Sequence, residues 1–97
     1  MEEILNHQRT ETSFVLFCSS FDTYVSGYNE DIVAFNPYYP KEFKTLEMAI
    51  QGKKDCKKVI KKNSFPQRSP YRLSIKKRVY TWQPGGNTQL TETYIRL

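Results

Sequence analysis

Lys53, Lys54, Lys57, Lys58, Lys61 and Lys62 crowd one short stretch of the chain. Their spacing of three and four residues is that of neighbours on a helix surface. A row of ammonium groups set that way engages phosphates or carboxylates by charge rather than by shape. Further along, Arg72, Lys76 and Arg78 recur at even positions together with Tyr80 and Trp82. Side chains two apart share one face of a strand. The cations could extend the basic patch across that strand, and the rings could stack on unpaired bases. These eleven residues are the candidate partner-binding set, and the chemistry they offer suits an acidic protein surface or a nucleic acid.

Catalytic chemistry has much less to draw on. A nucleophile needs a base and an oxyanion or phosphate cradle beside it. Cys18 sits in an apolar strand-like run, where a buried thiol is inert. His7 is the sole histidine, so a zinc site lacks obvious ligands, and the residue is expected to be an exposed polar group. Glu30 and Asp31 are adjacent acids in turn-forming sequence and are expected to be solvated. Gly85-Gly86 lies in a hairpin turn without the following helix and lysine of a phosphate loop. No catalytic residue, metal ligand or cofactor is assigned, and the expectation is a protein that is not an enzyme.

The lysines require a helix to hold them. From Leu46 to Lys62, at about 100° per residue, Leu46, Met48, Ala49, Gly52, Cys56, Val59 and Ile60 fall within an arc of roughly 160°, an apolar flank opposite the charges. Lys53 falls at the border of the two faces, and Ile50 falls among the lysines. Thr45 suits the N-cap, Glu47 the positive pole of the dipole, and Phe43 a staple onto an early helical residue. Gly52 costs about 0.8–1.0 kcal/mol against alanine, but inside the apolar arc it allows close approach to a sheet, so the helix is expected to continue through it.

Strands must supply that sheet. Ser13–Ser19 is apolar on both faces, with Phe14, Leu16 and Cys18 in one row and Val15 and Phe17 in the other, as in a central strand. Thr23–Ser26 and Asp31–Asn36 form a hairpin about a Gly27–Glu30 turn. Pro37 and Pro40 stop regular structure. Asn63–Pro70 is a loop. Tyr71–Trp82 alternates: Leu73, Ile75 and Val79 share one face, Arg72, Lys76 and Arg78 the other. Pro84-Gly85-Gly86-Asn87 turns the chain into a last strand, Thr88–Leu97. The expected fold is α+β, an antiparallel sheet of about five strands in the order β-β-β-α-β-β with one amphipathic basic helix on one face. Residues 1–11 are expected to be a flexible N-terminal segment and residues 12–97 a single domain.

Composition agrees with a small binding domain. The chain has 97 residues, a net charge of +5 and two cysteines, too few for a disulfide scaffold. Seven tyrosines and six phenylalanines make a ring-rich core. Residues 1–40 carry one basic and six acidic groups, whereas residues 41–97 carry fourteen basic and four acidic ones, so the molecule is strongly polarised. No run approaches a membrane span and the start lacks a secretory signal, which leads to the expectation of a cytoplasmic protein without a membrane partner, monomeric or homodimeric.

A strand with Tyr24-Val25, a turn, a strand Ile32–Phe35 and then Phe43-Lys44-Thr45-Leu46-Glu47-Met48-Ala49 opening a helix resembles small phage-encoded proteins of unknown role. A strand like Tyr71–Val79 follows in them, so the resemblance covers roughly residues 23–80. The lysine-rich end of the helix and the closing hairpin depart from it. The resemblance implies an accessory factor or inhibitor of a host system that acts in the host cytoplasm. The resulting reading is a non-catalytic protein docking its basic helix face on an acidic host surface, such as a nucleic-acid-handling or defence complex. The alternative is a backbone-led binder of RNA or single-stranded DNA with low sequence specificity.

Overall fold

A computed structural model describes residues 9–63 and 71–96. The elements in chain order are β1 (Arg9–Cys18), β2 (Thr23–Tyr28), β3 (Val33–Asn36), α1 (Leu46–Asn63), β4 (Leu73–Trp82) and β5 (Thr88–Ile95). All five strands join one antiparallel sheet in the order β3-β2-β1-β4-β5. The α+β architecture expected from the pattern is therefore present. His7 and residues 64–70 of the segment expected to be a loop lie outside the described residues, and Asn63, expected to open that segment, is instead the last residue of α1.

β1 is central because it can bury both of its rows. Leu16 and Cys18 face the helix and join Val25, Leu73 and Ile75 in the core, with Phe14 packed beside them. Val15 and Phe17 point to the opposite face and are also buried. β1 pairs with β4 over ten registered positions, from Arg9↔Trp82 to Cys18↔Leu73. Hence the strand begins at Arg9, inside the segment expected to be flexible through residue 11. The polar sequence of Arg9–Ser13 gave no apolar signal, and the alternating β4 partner holds it by backbone pairing instead.

The first hairpin is longer than expected. Gly27 and Tyr28 belong to β2, with a register shift between Val25 and Gly27, and the turn falls on Asn29–Ile32. The Asn29 side chain accepts backbone N–H bonds from Asp31 and Ile32 at 2.8 and 2.9 Å. That side chain mimics a turn carbonyl and fixes the reversal two residues later than the glycine suggested. Asn36 does the same after β3, accepting from Tyr38 and Tyr39. At the last hairpin Gly85 and Gly86 take φ of 93° and 95°, a left-handed backbone that glycine adopts without a Cβ penalty.

The helix runs unbroken through Gly52. Thr45 caps it, its hydroxyl accepting from the Met48 N–H at 3.1 Å. Ala49, Gly52, Cys56, Val59 and Ile60 are buried against the sheet. Phe43, expected to staple an early helical residue, shares the core with Ala49. It pairs with Phe14 through two backbone hydrogen bonds of 2.7 and 2.9 Å, and its ring lies where a Gly52 side chain would be: a Cβ there would meet Phe43 Cζ at 2.6 Å. Two further corrections follow from the helix's rotation about its axis. Met48, expected in the apolar arc, is 52% exposed, and Ile50, expected among the lysines, packs against the core. At about 100° per residue the packed side runs from Val59 round to Ile50, so its middle falls between Ala49 and Ile60 rather than on Cys56, which turns Met48 outward past its edge.

The Gly52→Ala variant is expected to lose about 1–2 kcal/mol, because overpacking outweighs a helix-propensity gain of at most roughly 1 kcal/mol. Gly27→Ala, with nothing within 4 Å of its Cβ position, is expected to stay within about 0.5 kcal/mol of the parent. Urea melts of the two variants check this, and equal midpoints would remove the close approach as a structural requirement.

Candidate partner-binding surfaces

On the helix, burial of one arc forces the lysines outward. Lys54, Lys57, Lys58 and Lys61 are exposed, and Lys53 is half-buried at the border, as its position in the arc requires. Desolvation, then the neighbouring Lys57 charge, lowers the pKa of Lys53. No ion pair joins Lys54, Lys57, Lys58 or Lys61 to a carboxylate among the described residues. Lys62 differs. It lies 3.6 Å from the Asp31 carboxylate and donates to the Glu30 carbonyl at 3.4 Å, while the Asn63 amide donates to the Asp31 carbonyl at 2.7 Å. The helix end is thereby tied to the β2–β3 turn. A cleft of about 450 Å³ between them is lined by Tyr28, Glu30, Asp55, Lys58 and Lys62, and of its two lysines Lys62 has an ion pair among the described residues while Lys58 has none. Uncompensated positive charge is left on the outward stripe Lys54–Lys57–Lys58–Lys61.

The strand half of the candidate set lies elsewhere. Lys76 pairs with Val15 and Arg78 with Ser13 in the β1–β4 register, so both project from the face that also carries Phe17, away from α1. The expected continuous patch of helix lysines with Arg72, Lys76 and Arg78 is not formed. Sheet thickness separates the two halves, because β4 turns its apolar row, Leu73 and Ile75, to the helix and its even row to the other side. Arg72 precedes β4, exposed, where its backbone carbonyl accepts from the Ser19 N–H at 3.0 Å.

Lys76 and Arg78 are moreover already engaged. Their side chains are 15% and 11% exposed, and both meet Glu92, which is 19% exposed. Arg78 Nε stands 2.7 Å from Glu92 Oε2, off the line of a directed hydrogen bond, and neither atom has another hydrogen-bond partner among the described residues. Tyr24 donates its hydroxyl to Glu92 Oε1 at 2.6 Å. The Lys76 ammonium sits 3.8 Å from the Phe17 ring centroid, 4.9 Å from Tyr94 and 5.7 Å from Tyr24. Three rings and a carboxylate thus enclose it, the environment that cation–π attraction favours. Burial, then the hydrogen bond and charge of Glu92, push the Tyr24 pKa up to about 12.

Beyond this cage the same face continues as a ladder. Tyr80 and Trp82 stack with centroids 6.0 Å apart. The Arg9 guanidinium lies 4.7 Å from the Trp82 centroid, and that of Arg78 lies 5.6 Å from Tyr80. Those ring faces are in use, so a nucleic-acid base would have to displace a guanidinium to stack on them. Sequence reasoning missed Arg9, Phe17, Tyr24, Glu92 and Tyr94 as members of this surface. Only the strand register, which puts Arg9 opposite Trp82 and Glu92 opposite Arg78, could have found them.

Neither thiol reaches the surface. Cys18 and Cys56 are free and fully buried, and burial, helped by Asp55, pushes the Cys56 pKa up to about 12. Among the described residues no cluster of three or more His, Cys, Asp or Glu is placed to hold a metal ion, and no helix is long and apolar enough to cross a membrane. Compared with known proteins, the chain matches no family model, no curated protein and no solved structure.

Glu92→Gln leaves two half-buried cations without their counter-charge and is expected to cost about 1–3 kcal/mol, whereas Asp31→Asn at the exposed Lys62 pair should leave the melting temperature nearly unchanged. Thermal melts of both variants distinguish the pairs. The raised Cys56 and Tyr24 groups hold protons that the unfolded chain releases near their ordinary values of 9.0 and 10.0. Their contribution to stability is therefore intact below pH 9 and is lost as pH rises toward 12. Melting temperatures measured across that window should fall, and a flat profile would contradict the burial of both groups.

Proposed function

We propose that this chain is a non-catalytic binding module that docks the outward stripe of its helix, Lys54, Lys57, Lys58 and Lys61, on an acidic protein surface. The observation that carries the reading is uncompensated charge on a rigid support. These ammonium groups have no carboxylate partner among the described residues, and the helix beneath them is fixed by the buried arc from Ala49 to Ile60. Mutual repulsion of the lysines is relieved when an anionic surface neutralises them, which supplies both attraction and orientation to the encounter. The resemblance to small phage-encoded proteins supports an accessory factor or inhibitor acting in a host cytoplasm, and the burial of both thiols, Cys18 and Cys56, supports a role without catalysis.

Nucleic acid is the weaker partner for this geometry. The helix stripe could follow a phosphate backbone, but the rings that would read unpaired bases lie on the opposite face of the sheet with Arg9 and Arg78 over them. A pull-down from host lysate treated with nuclease tests the proposal. The native chain is expected to retain its partner, increasingly weakly as salt rises. The triple variant Lys54→Glu, Lys58→Glu, Lys61→Glu is expected to lose it while melting at the parental temperature. Retention by the triple variant overturns the helix as the contact, and loss of the native chain's partner on nuclease treatment identifies a nucleic-acid bridge.

A further inference from the structure

The outer edge of β5 is built to pair, and its partner can be identified from the direction of its backbone groups. Phe14 exchanges both backbone hydrogen bonds with Phe43, on the side away from β4. Alternation then sends the N–H and C=O groups of the odd β1 residues toward β4 and of the odd β4 residues toward β5. The bond from the Gln83 N–H to the Asn87 carbonyl, 2.7 Å, agrees with this parity. In β5 the odd residues are therefore spent on β4. Thr88, Leu90, Glu92 and Tyr94 turn four N–H and four C=O groups outward along one edge.

Protein sheets ordinarily blunt such an edge with proline, lysine, a bulge or brevity. The opposite edge is blunted: β3 has four residues, and Pro37 follows it directly. β1 also exposes an edge above Phe14 among the described residues, but only Thr10 and Thr12 direct backbone groups to it. β5 has none of these devices. Its eight residues, TQLTETYI, pair with β4 in unbroken register from Trp82↔Thr88 to Ile75↔Ile95. Five of them, Thr88, Thr91, Thr93, Tyr94 and Ile95, are of types enriched in strands, and the single charge, Glu92, is neutralised from within by Arg78 and Lys76. Leu90 and Tyr94 are 45% and 55% exposed beside the edge.

We infer that β5 pairs antiparallel with β5 of a second copy of this chain, forming a symmetric dimer with one ten-stranded sheet. A second copy fits because an antiparallel edge is self-complementary: each outward donor of one strand meets an outward acceptor of the other about a two-fold axis. Since outward bonds belong to even residues, even positions must face even positions. A centre on Glu92 sets two carboxylates opposite each other, and a centre on Leu90 leaves Tyr94 beyond the partner strand. A centre on Thr91 uses the whole edge, with Leu90↔Glu92 and Thr88↔Tyr94 as hydrogen-bonded pairs and the two Thr91 residues facing as a close non-hydrogen-bonded pair. The contact is isologous, so assembly stops at two. It is independent of what the helix binds.

Sedimentation velocity over a concentration series measures the mass directly, and cysteine cross-linking reads the register. The native chain is expected to shift from one to two chain masses as concentration rises. Leu90→Pro removes only an outward N–H and is expected to remain at one mass with an unchanged circular dichroism spectrum. Thr91→Cys is expected to give a disulfide-linked dimer under mild oxidation, whereas Thr93→Cys, four residues out of register with its symmetry mate, is not; the buried Cys18 and Cys56 supply no background. A single mass at every concentration together with no Thr91→Cys dimer overturns the inference, as does equal cross-linking at both positions or growth beyond two chains.

Discussion

The arrangement depends on the contact between the Phe43 ring and the bare backbone of Gly52. A Cβ at Gly52 would come within 2.6 Å of that ring, so the helix can lie at this depth only because the residue has no side chain. Phe43 is itself fixed by its two backbone bonds to Phe14 on the central strand. One aromatic ring thus links the proline-bounded connector, the helix and β1. Once the helix is seated there, its rotation is set: Ala49, Cys56, Val59 and Ile60 go down, and Lys54, Lys57, Lys58 and Lys61 go out. The orientation of the charged stripe is a consequence of packing on the other side of the helix.

That constraint also separates two kinds of positive charge which the sequence displays alike. Helix ammonium groups stand in water, where each is solvated and cheap to hold. Lys76 and Arg78 emerge on the opposite face among Phe17, Tyr24 and Tyr94, where removal from water must be offset by Glu92 and by the rings. Phe17 also takes part in the cage. It makes edge contacts with Tyr24 at 5.1 Å and Tyr94 at 6.3 Å, and with Lys76 above it the second face of β1 is buried. The cage is structural: it lets a central strand be apolar on both sides. Charge already used to build the fold is not on offer to a partner, whereas that of the outward stripe has no carboxylate beside it among the described residues.

The fold was legible in the sequence because its signals are local. Period-two alternation in Tyr71–Trp82, the two-faced apolar run at Phe14–Cys18, the amphipathic arc of the helix, the Thr45 cap and the Pro84–Asn87 turn each depend on residues close in the chain. What escaped reading depends on register. Arg9 belongs to a strand only because β4 is long enough to reach it. Glu92 neutralises Arg78 only because those residues face each other across the last hairpin. The Asn29 turn outweighed Gly27 because a side-chain acceptor two residues further on held both following N–H groups. Met48 and Ile50 exchanged environments because a small rotation of a helix moves residues at the margins of its arc while those well inside it, such as Cys56, stay buried.

The two proposals meet in geometry. Strands paired antiparallel across a two-fold axis normal to the sheet keep the same face up, so a dimer joined at β5 carries both helices on one side. From one β1 to the other there are five strand spacings, about 24 Å at 4.7–4.9 Å each. Two rows of ammonium groups at that separation form a bivalent surface, and a partner with two acidic patches, or one broad one, is held by the second contact at high effective concentration. Individually weak, salt-screened charge contacts then suffice for stable capture without any buried hot spot. The cage residues Tyr94 and Glu92 lie on the pairing strand itself, and the Glu92 carboxylate halves the positive charge of Lys76 and Arg78 beside the joining edge, which lessens the repulsion between two basic molecules that approach there.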